Sequence, residues 1–269
     1  MKKYITYNLI PALYALMALI FLYTPIIVLT VMGFNKSRYN TLPFSFSLEW
    51  YSALAQNDKL IGAAINSLVL AVITALICVV LATTFVLGMK TLSRRTEDLF
   101  RSLIMMPMSI PWLILALSML LFIRFLDLDK NMFFVVAGHV VISLPYAMLS
   151  LQARIQALDP ALEEMSASLG ASPMITFRRI TLPALAPAII AGGFLAFMIS
   201  FDNFAISYFL IPTGASTLPI EIQSSIKFGF TPEINAISTV IIGVSLLCLA
   251  IVGLIMGSSI QNMIGGRKK

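Results

Sequence analysis

Asp202 is a lone carboxylate in the apolar run that begins near Pro183, and an ionisable group in such a segment is a functional-site candidate by default. Its chemistry would be to pair with a translocating ammonium group. The alternative is an aspartate near the outer end of a helix, solvated or hydrogen-bonded to a neighbouring helix. Trp112, Tyr146, Phe201 and Tyr208 could stack on the same cation, although aromatic residues in membrane helices also pack or anchor at interfaces. His139 is the only histidine and reads as a hydrogen-bond partner between helices rather than a metal ligand or proton relay. Cys78 and Cys248 sit in separate apolar runs, so neither a zinc site nor a disulfide framework is expected. No H-E-x-x-H, no intramembrane pair of carboxylates on one helix face and no serine–histidine set occurs, which leaves a membrane enzyme without catalytic groups. A G-x-x-x-x-G-K-[ST] phosphate loop is also absent, so the chain is not expected to be an enzyme or to bind a cofactor itself.

The elements that must position these residues follow from composition. Of 269 residues 59% are hydrophobic and 11% charged, against about 25% charged in an ordinary soluble domain. A water-soluble fold is excluded. The charges cluster, leaving runs long enough to cross about 30 Å of hydrocarbon at about 1.5 Å per residue. Six spans are expected: Leu9–Met32, Ile61–Gly88, Ser102–Ile123, Asn131–Ala153, a fifth starting near Pro183, and a sixth within Ile234–Gly266. The chain reads as an all-α polytopic membrane protein, residues 1–269 forming one transmembrane domain. Lys2 and Lys3 precede the first run as in a signal peptide, but its length, Pro11 and Pro25 indicate an uncleaved helix. Pro107, Pro111 and Pro145 should kink spans three and four, and Gly192-Gly193 permits close approach within the chain or to a second subunit.

Charge sets the orientation. With six spans and an inner N-terminus, the inner segments carry Lys2, Lys3, Lys90, Arg94, Arg95, Arg101, Arg154, Arg178, Arg179, Arg267, Lys268 and Lys269, twelve of the eighteen basic residues. That asymmetry places both termini in the cytoplasm. It also accounts for the net charge of +6 without a nucleic-acid partner. The same clusters could bind anionic lipid.

The inner loop 152–183 carries helix signals of its own. Asp159-Pro160 pairs a cap with a proline at the first helical position, and Glu163 and Glu164 follow near the positive end of the helix. Leu162, Met165 and Leu169 recur on one face until Gly170 supplies a left-handed stop. Ser172-Pro173 repeats the start signal and predicts a second short helix, with Met174, Phe177 and Ile180 flanked by Arg178 and Arg179. Leu182-Pro183 then leads into span five. By composition alone, the loop could be a re-entrant or interfacial connector.

Glu164, Gly170, Ile180 and Leu182-Pro183 resemble the E-A-A-x3-G-x9-I-x-L-P loop of ATP-binding-cassette importer permeases. Met165-Ser166 stands where the family has two alanines, implying a bulkier contact face. Further on, Ser200-Phe201-Asp202-Asn203-Phe204, Thr217-Leu218-Pro219 and Thr231–Ala236 are similar to the C-type permeases of spermidine/putrescine importers, with Asn203 where that family often has a second acid. The resemblance implies the type I importer permease fold in a bacterial inner membrane and makes 152–183 a coupling loop, with Glu163, Glu164, Met165, Ser166, Gly170, Ile180, Leu182 and Pro183 as its ATPase-coupling residues. It implies as partners an ATPase dimer that holds ATP and magnesium, a second permease subunit, and an extracytoplasmic solute-binding protein meeting loops 35–60 and 211–233. The solute would be a polyamine. Opine, aminophosphonate and amino-acid-derivative importers have similar permeases, and an ion-coupled secondary transporter is the remaining alternative.

Overall fold

In a bilayer every backbone polar group must be satisfied internally, which favours long helices in a chain of this composition. A computed structural model describes residues 2–38, 41–90, 92–228 and 232–265, and helix dominates them. Thr231, Arg267, Lys268 and Lys269, used in the reading above, lie outside the described residues. The helices are α1 (Lys2–Met32), α2 (Glu49–Ala55), α3 (Asp58–Met89), α4 (Arg94–Met105), α5 (Trp112–Phe125), α6 (Met132–Gln156), α7 (Ala161–Ser168), α8 (Pro173–Thr176), α9 (Leu182–Phe201), α10 (Phe204–Leu210), α11 (Leu218–Phe228) and α12 (Glu233–Gly265).

Helices occupy all six segments expected to span. Among the described residues, four stretches are long and apolar enough to cross a membrane unaided: Pro11–Met32, Asp58–Met89, Met132–Gln156 and Pro173–Phe201. The third expected span is not one straight helix. Arg94–Ser109 and Trp112–Phe125 are bent by 104° from each other, because Pro107 opens a 3-10 turn at Met106–Ser109 and Pro111 precedes α5. Pro145, by contrast, lies within an unbroken α6. The segment 211–233, read as a plain loop, contains α11, and 35–60 contains α2.

The chain divides into two compact units, Gly62–Glu221 and the flanking Met1–Ile61 with Ile222–Lys269. In the flanking unit α12 packs against α1 and α2. The turn after α1 folds around buried Asn35, whose Oδ1 accepts the Ser45 N–H at 3.1 Å and whose Nδ2 donates to the Thr41 carbonyl at 3.0 Å.

In the central unit the dominant pairing is α6 with α9. Gly192 sets its closeness. A Cβ there would lie 3.0 Å from the Ala147 carbonyl oxygen, and one at Gly193 would lie 2.8 Å from Val79 of α3. The glycine pair therefore serves contacts within the chain, the alternative left open by sequence. Small residues Cys78, Ala82, Ala147 and Ala196 line the same core. Ser150 Oγ donates to the Ala188 carbonyl at 3.1 Å, and Arg154 Nε donates to the Ala184 carbonyl at 3.0 Å, so polar bonds also tie α6 to α9.

Candidate functional site

The loop between α6 and α9 starts as its sequence requires. Asp159 Oδ1 accepts the Ala161 N–H at 2.9 Å, and Glu163 and Glu164 fall in the first turn of α7. The helix ends in a reverse turn at Gly170, with φ of +79°. The Ala171 N–H reaches the Ser166 carbonyl at 3.1 Å and the Gly170 N–H reaches that of Ala167 at 2.9 Å, the bonds of a left-handed stop.

The second short helix is not separate from span five. α8 begins after Ser172, but the Ser172 side chain makes no capping bond; its carbonyl instead accepts from Ile175 and Thr176 at 2.9 and 3.0 Å. α8 then passes through a π-helical turn, Phe177–Thr181, straight into α9. Pro183 supplies the cause. It has no N–H to offer Arg179, four residues back, and its ring crowds that carbonyl, so the helix widens there and the Leu182 N–H reaches Phe177 instead. One helical rod thus runs from the loop to the end of span five, with Leu182 and Pro183 exposed within it.

Within α7 the faces have different jobs. Leu162, Met165 and Leu169 are 41%, 56% and 88% exposed and form an apolar outer face beside exposed Glu164. Ser166 is buried, and its hydroxyl pairs with that of Thr176 at 2.8 Å. It therefore adds nothing to the outer contact face, contrary to the expectation for Met165-Ser166; only Met165 enlarges it.

Glu163 also turns inward. Its carboxylate accepts from Lys90 Nζ at 3.1 and 3.2 Å and from Thr181 Oγ1 at 2.9 Å, joining α7 to the end of α3 and to the π turn. Burial raises the Glu163 carboxyl, but the hydrogen bonds from Thr181 and Lys90 and the lysine charge outweigh it and hold it below its ordinary value. A cleft of about 310 Å³ opens beside this tie, lined by Lys90, Leu158, Glu163, Ile180 and Thr181 among others. Lys90, Thr176 and Thr181 were not legible as site residues, because their partners are distant in sequence or lie on another turn.

Asp202 occupies the opposite end of the rod. It follows the last residue of α9, with its N–H bonded to the Met198 carbonyl at 3.1 Å and its side chain exposed. It therefore sits at the helix end and not well inside a span, because the chain breaks there to begin α10. A carboxylate at a helix C-terminus adds to the partial negative charge of the last carbonyls, which concentrates attraction for a cation.

The next residue does different work. Asn203 is 1% exposed, and its Oδ1 accepts the Ile206 N–H at 2.8 Å, capping α10; its Nδ2 has no hydrogen-bond partner among the described residues. An asparagine there is a structural cap and carries no charge to a solute. Below it, His139 of α6 bridges the Ser200 and Ser207 hydroxyls at 2.7 and 3.0 Å. A neutral ring donates to one and accepts from the other, as expected of an interhelical partner.

Two ring pairs flank Asp202. Phe201 stacks on Phe197 at 5.8 Å, and exposed Tyr208 stacks on Phe204 at 5.1 Å. Among the described residues Trp112 and Tyr146 join neither ladder. Trp112 opens α5 and is 38% exposed, while Tyr146 is half-buried on α6. No group of three metal-ligating side chains occurs among the described residues.

A fold of long apolar helices is shared with known transport proteins. Residues 83–265 match the binding-protein-dependent transport system inner membrane component family, and the chain belongs to it. It is an inner-membrane permease component with an all-α fold. Over 235 residues it is 32% identical to the spermidine/putrescine transport system permease protein PotC of Haemophilus influenzae, covering 87% of this chain and 91% of that one. It is 34% identical over 235 residues to the putrescine transport system permease protein PotI of Escherichia coli K12, covering 85% and 84%. A bacterial ABC transporter involved in alginate import superposes with a TM-score of 0.71 at 19% identity over 96% of both chains. The MetNI methionine ABC transporter gives 0.61 at 15% identity, over 76% of this chain and 97% of that one.

Proposed function

We propose that the chain forms half of the translocation pathway of an importer for polyamines or a related small cationic amine. A separate ATPase dimer, holding ATP and magnesium, drives it through α7. A second permease subunit and an extracytoplasmic binding protein complete the assembly, and this chain binds no cofactor of its own. In this reading all 269 residues act as one permease domain of six spans with both termini in the cytoplasm.

The observation that carries the proposal is the division of α7. Its outer face offers Leu162, Met165 and Leu169 with Glu164 free beside them, while Glu163 and Ser166 fasten its inner face to α3, α8 and the π turn. A helix held this way moves its attached spans when pushed. The relatives that transport spermidine and putrescine supply the solute class, and exposed Asp202 between aromatic pairs is chemically suited to an ammonium group.

The test is uptake of labelled putrescine and spermidine into proteoliposomes holding this chain with its partner subunits and binding protein. Uptake that requires ATP and fails with Gly170→Leu supports the reading. Transport by this chain alone would establish an ion-coupled mechanism instead. ATP-dependent uptake of an opine or aminophosphonate, with polyamines inert, would keep the importer and overturn the solute.

A further inference from the structure

We infer that α4 is an interfacial helix whose apolar edge is seated in the bilayer and whose leading turn binds anionic phospholipid through Arg94 and Arg95. The inference goes beyond the permease reading and does not depend on which solute is carried.

The first observation is direction. α4 is turned 104° away from α5, so with α5 entering the membrane α4 runs along its surface. Ser93 Oγ accepts the Thr96 N–H at 3.4 Å and starts the helix, and the Pro107 turn ends it at the bend.

The second is sidedness. Leu99, Leu103 and Met106 are exposed along one edge, at 58%, 51% and 55%, and Arg94, Arg95 and Asp98 are exposed along another. A third side holds α4 to the protein: Phe100 meets Phe85 of α3 edge-on at 6.0 Å, and Arg101 is paired with Glu97. With its amide oxygen turned toward Arg101, Gln152 of α6 also accepts from Arg101 Nε at 2.8 Å. The roll of the helix is thereby fixed, with an apolar edge and a charged edge both left outward.

The third is charge. Of the other charges here, Glu97 is matched by Arg101 and Lys90 by Glu163, while Asp98 has no ion pair among the described residues and leaves the edge it shares with Arg94 and Arg95 with a net positive charge. Arg94 and Arg95 have no acidic partner among the described residues. Exposed leucines beside unmatched arginines define a helix that lies in the headgroup region, where each arginine gains attraction from anionic lipid. Continuity decides the occupant: α4 passes through one turn into α5, a helix of an inner-membrane protein, so bilayer lies beside its apolar edge.

The experiment places a spin label at Leu103→Cys, and separately at Leu99→Cys, in a Cys78→Ala/Cys248→Ala chain reconstituted with its partner subunits in nanodiscs. Collision rates with oxygen, which partitions into lipid, and with a water-soluble nickel chelate report what covers the label. Oxygen-dominated collisions at both sites are expected. Nickel-dominated collisions, or protection from both reagents as at a protein interface, would overturn the assignment. Replacing phosphatidylcholine by phosphatidylglycerol should deepen the label, and Arg94→Gln/Arg95→Gln should abolish that dependence. Equal depth in the two lipids for the parent chain would overturn the anionic-lipid contact.

Discussion

The two ends of the rod Pro173–Phe201 are held by different physics. At the α7 end the holding runs through a half-exposed ion pair, Glu163 with Lys90, backed by the buried hydroxyls of Thr181 on Glu163 and of Ser166 on Thr176. At the Asp202 end the ties are buried and neutral, through His139 with Ser200 and Ser207 and through the Asn203 cap. Exposed ties exchange readily with water or a partner's groups and are individually weak. Buried ones cannot be given up without leaving a polar atom stranded. In the proposed importer, that difference would let the α7 end be handled by another protein while the Asp202 end keeps its shape around an exposed carboxylate.

Breaking the α7 end should have the largest effect. Gly170→Leu forces a side chain into a left-handed backbone at φ of +79°, costing about 1–2 kcal/mol locally. Apart from its own chain neighbours, no atom of the described residues lies within 4 Å of a Cβ there, so the strain is conformational and displaces the end of α7. ATP-dependent uptake should fall at least about tenfold, the equivalent of about 1.4 kcal/mol of lost coupling, with membrane expression unchanged.

At the other end, Asp202→Asn keeps size and removes charge. Uptake of a cationic solute should drop by about tenfold or less while the melting temperature in detergent stays put, since the side chain is exposed. Unaltered uptake would leave Asp202 a solvated helix end.

His139→Ala reverses that pattern. It strands two buried hydroxyls and should lower stability by about 1–3 kcal/mol, read as a fall in melting temperature. Retained melting behaviour would show that the buried network is not what holds this end.

The smallest expected effect is the pH response of Glu163. Its folded carboxyl lies below the unfolded value, so its contribution is fully present above the unfolded pKa and is lost as pH falls through the folded one. For a pair this exposed the amount is about 0.2–1 kcal/mol. Acid melting curves of the parent chain and Glu163→Gln should converge at low pH and separate toward neutrality.

The same contrast explains what the residues disclosed in advance. Local signals were readable: Asp159 and Gly170 bound α7 because capping and a positive φ depend on one or two side chains. The long helices were readable because charges rarely interrupt them. What escaped was set by partners far away or by backbone offsets. Lys90 meets Glu163 across 73 positions, and the π turn arises from Pro183 acting on a carbonyl one turn earlier, so what was expected as a second short helix ahead of span five is continuous with it. Asp202 was expected inside a span because apolar residues continue past it; the Asn203 cap, which ends one helix and starts another, places it at a break.

The unbroken run from Pro173 to Phe201 has a thermodynamic consequence. Its 29 residues reach about 43 Å at about 1.5 Å each, with a π turn near the α7 end. In the proposed importer, force applied at that end would be delivered near Asp202, and reciprocity requires the reverse. A solute that favours one tilt of the rod must change the affinity of the motor for α7 by the same factor that the motor changes the affinity for solute. An empty pathway and a filled one would then differ in how tightly the driving subunit is gripped.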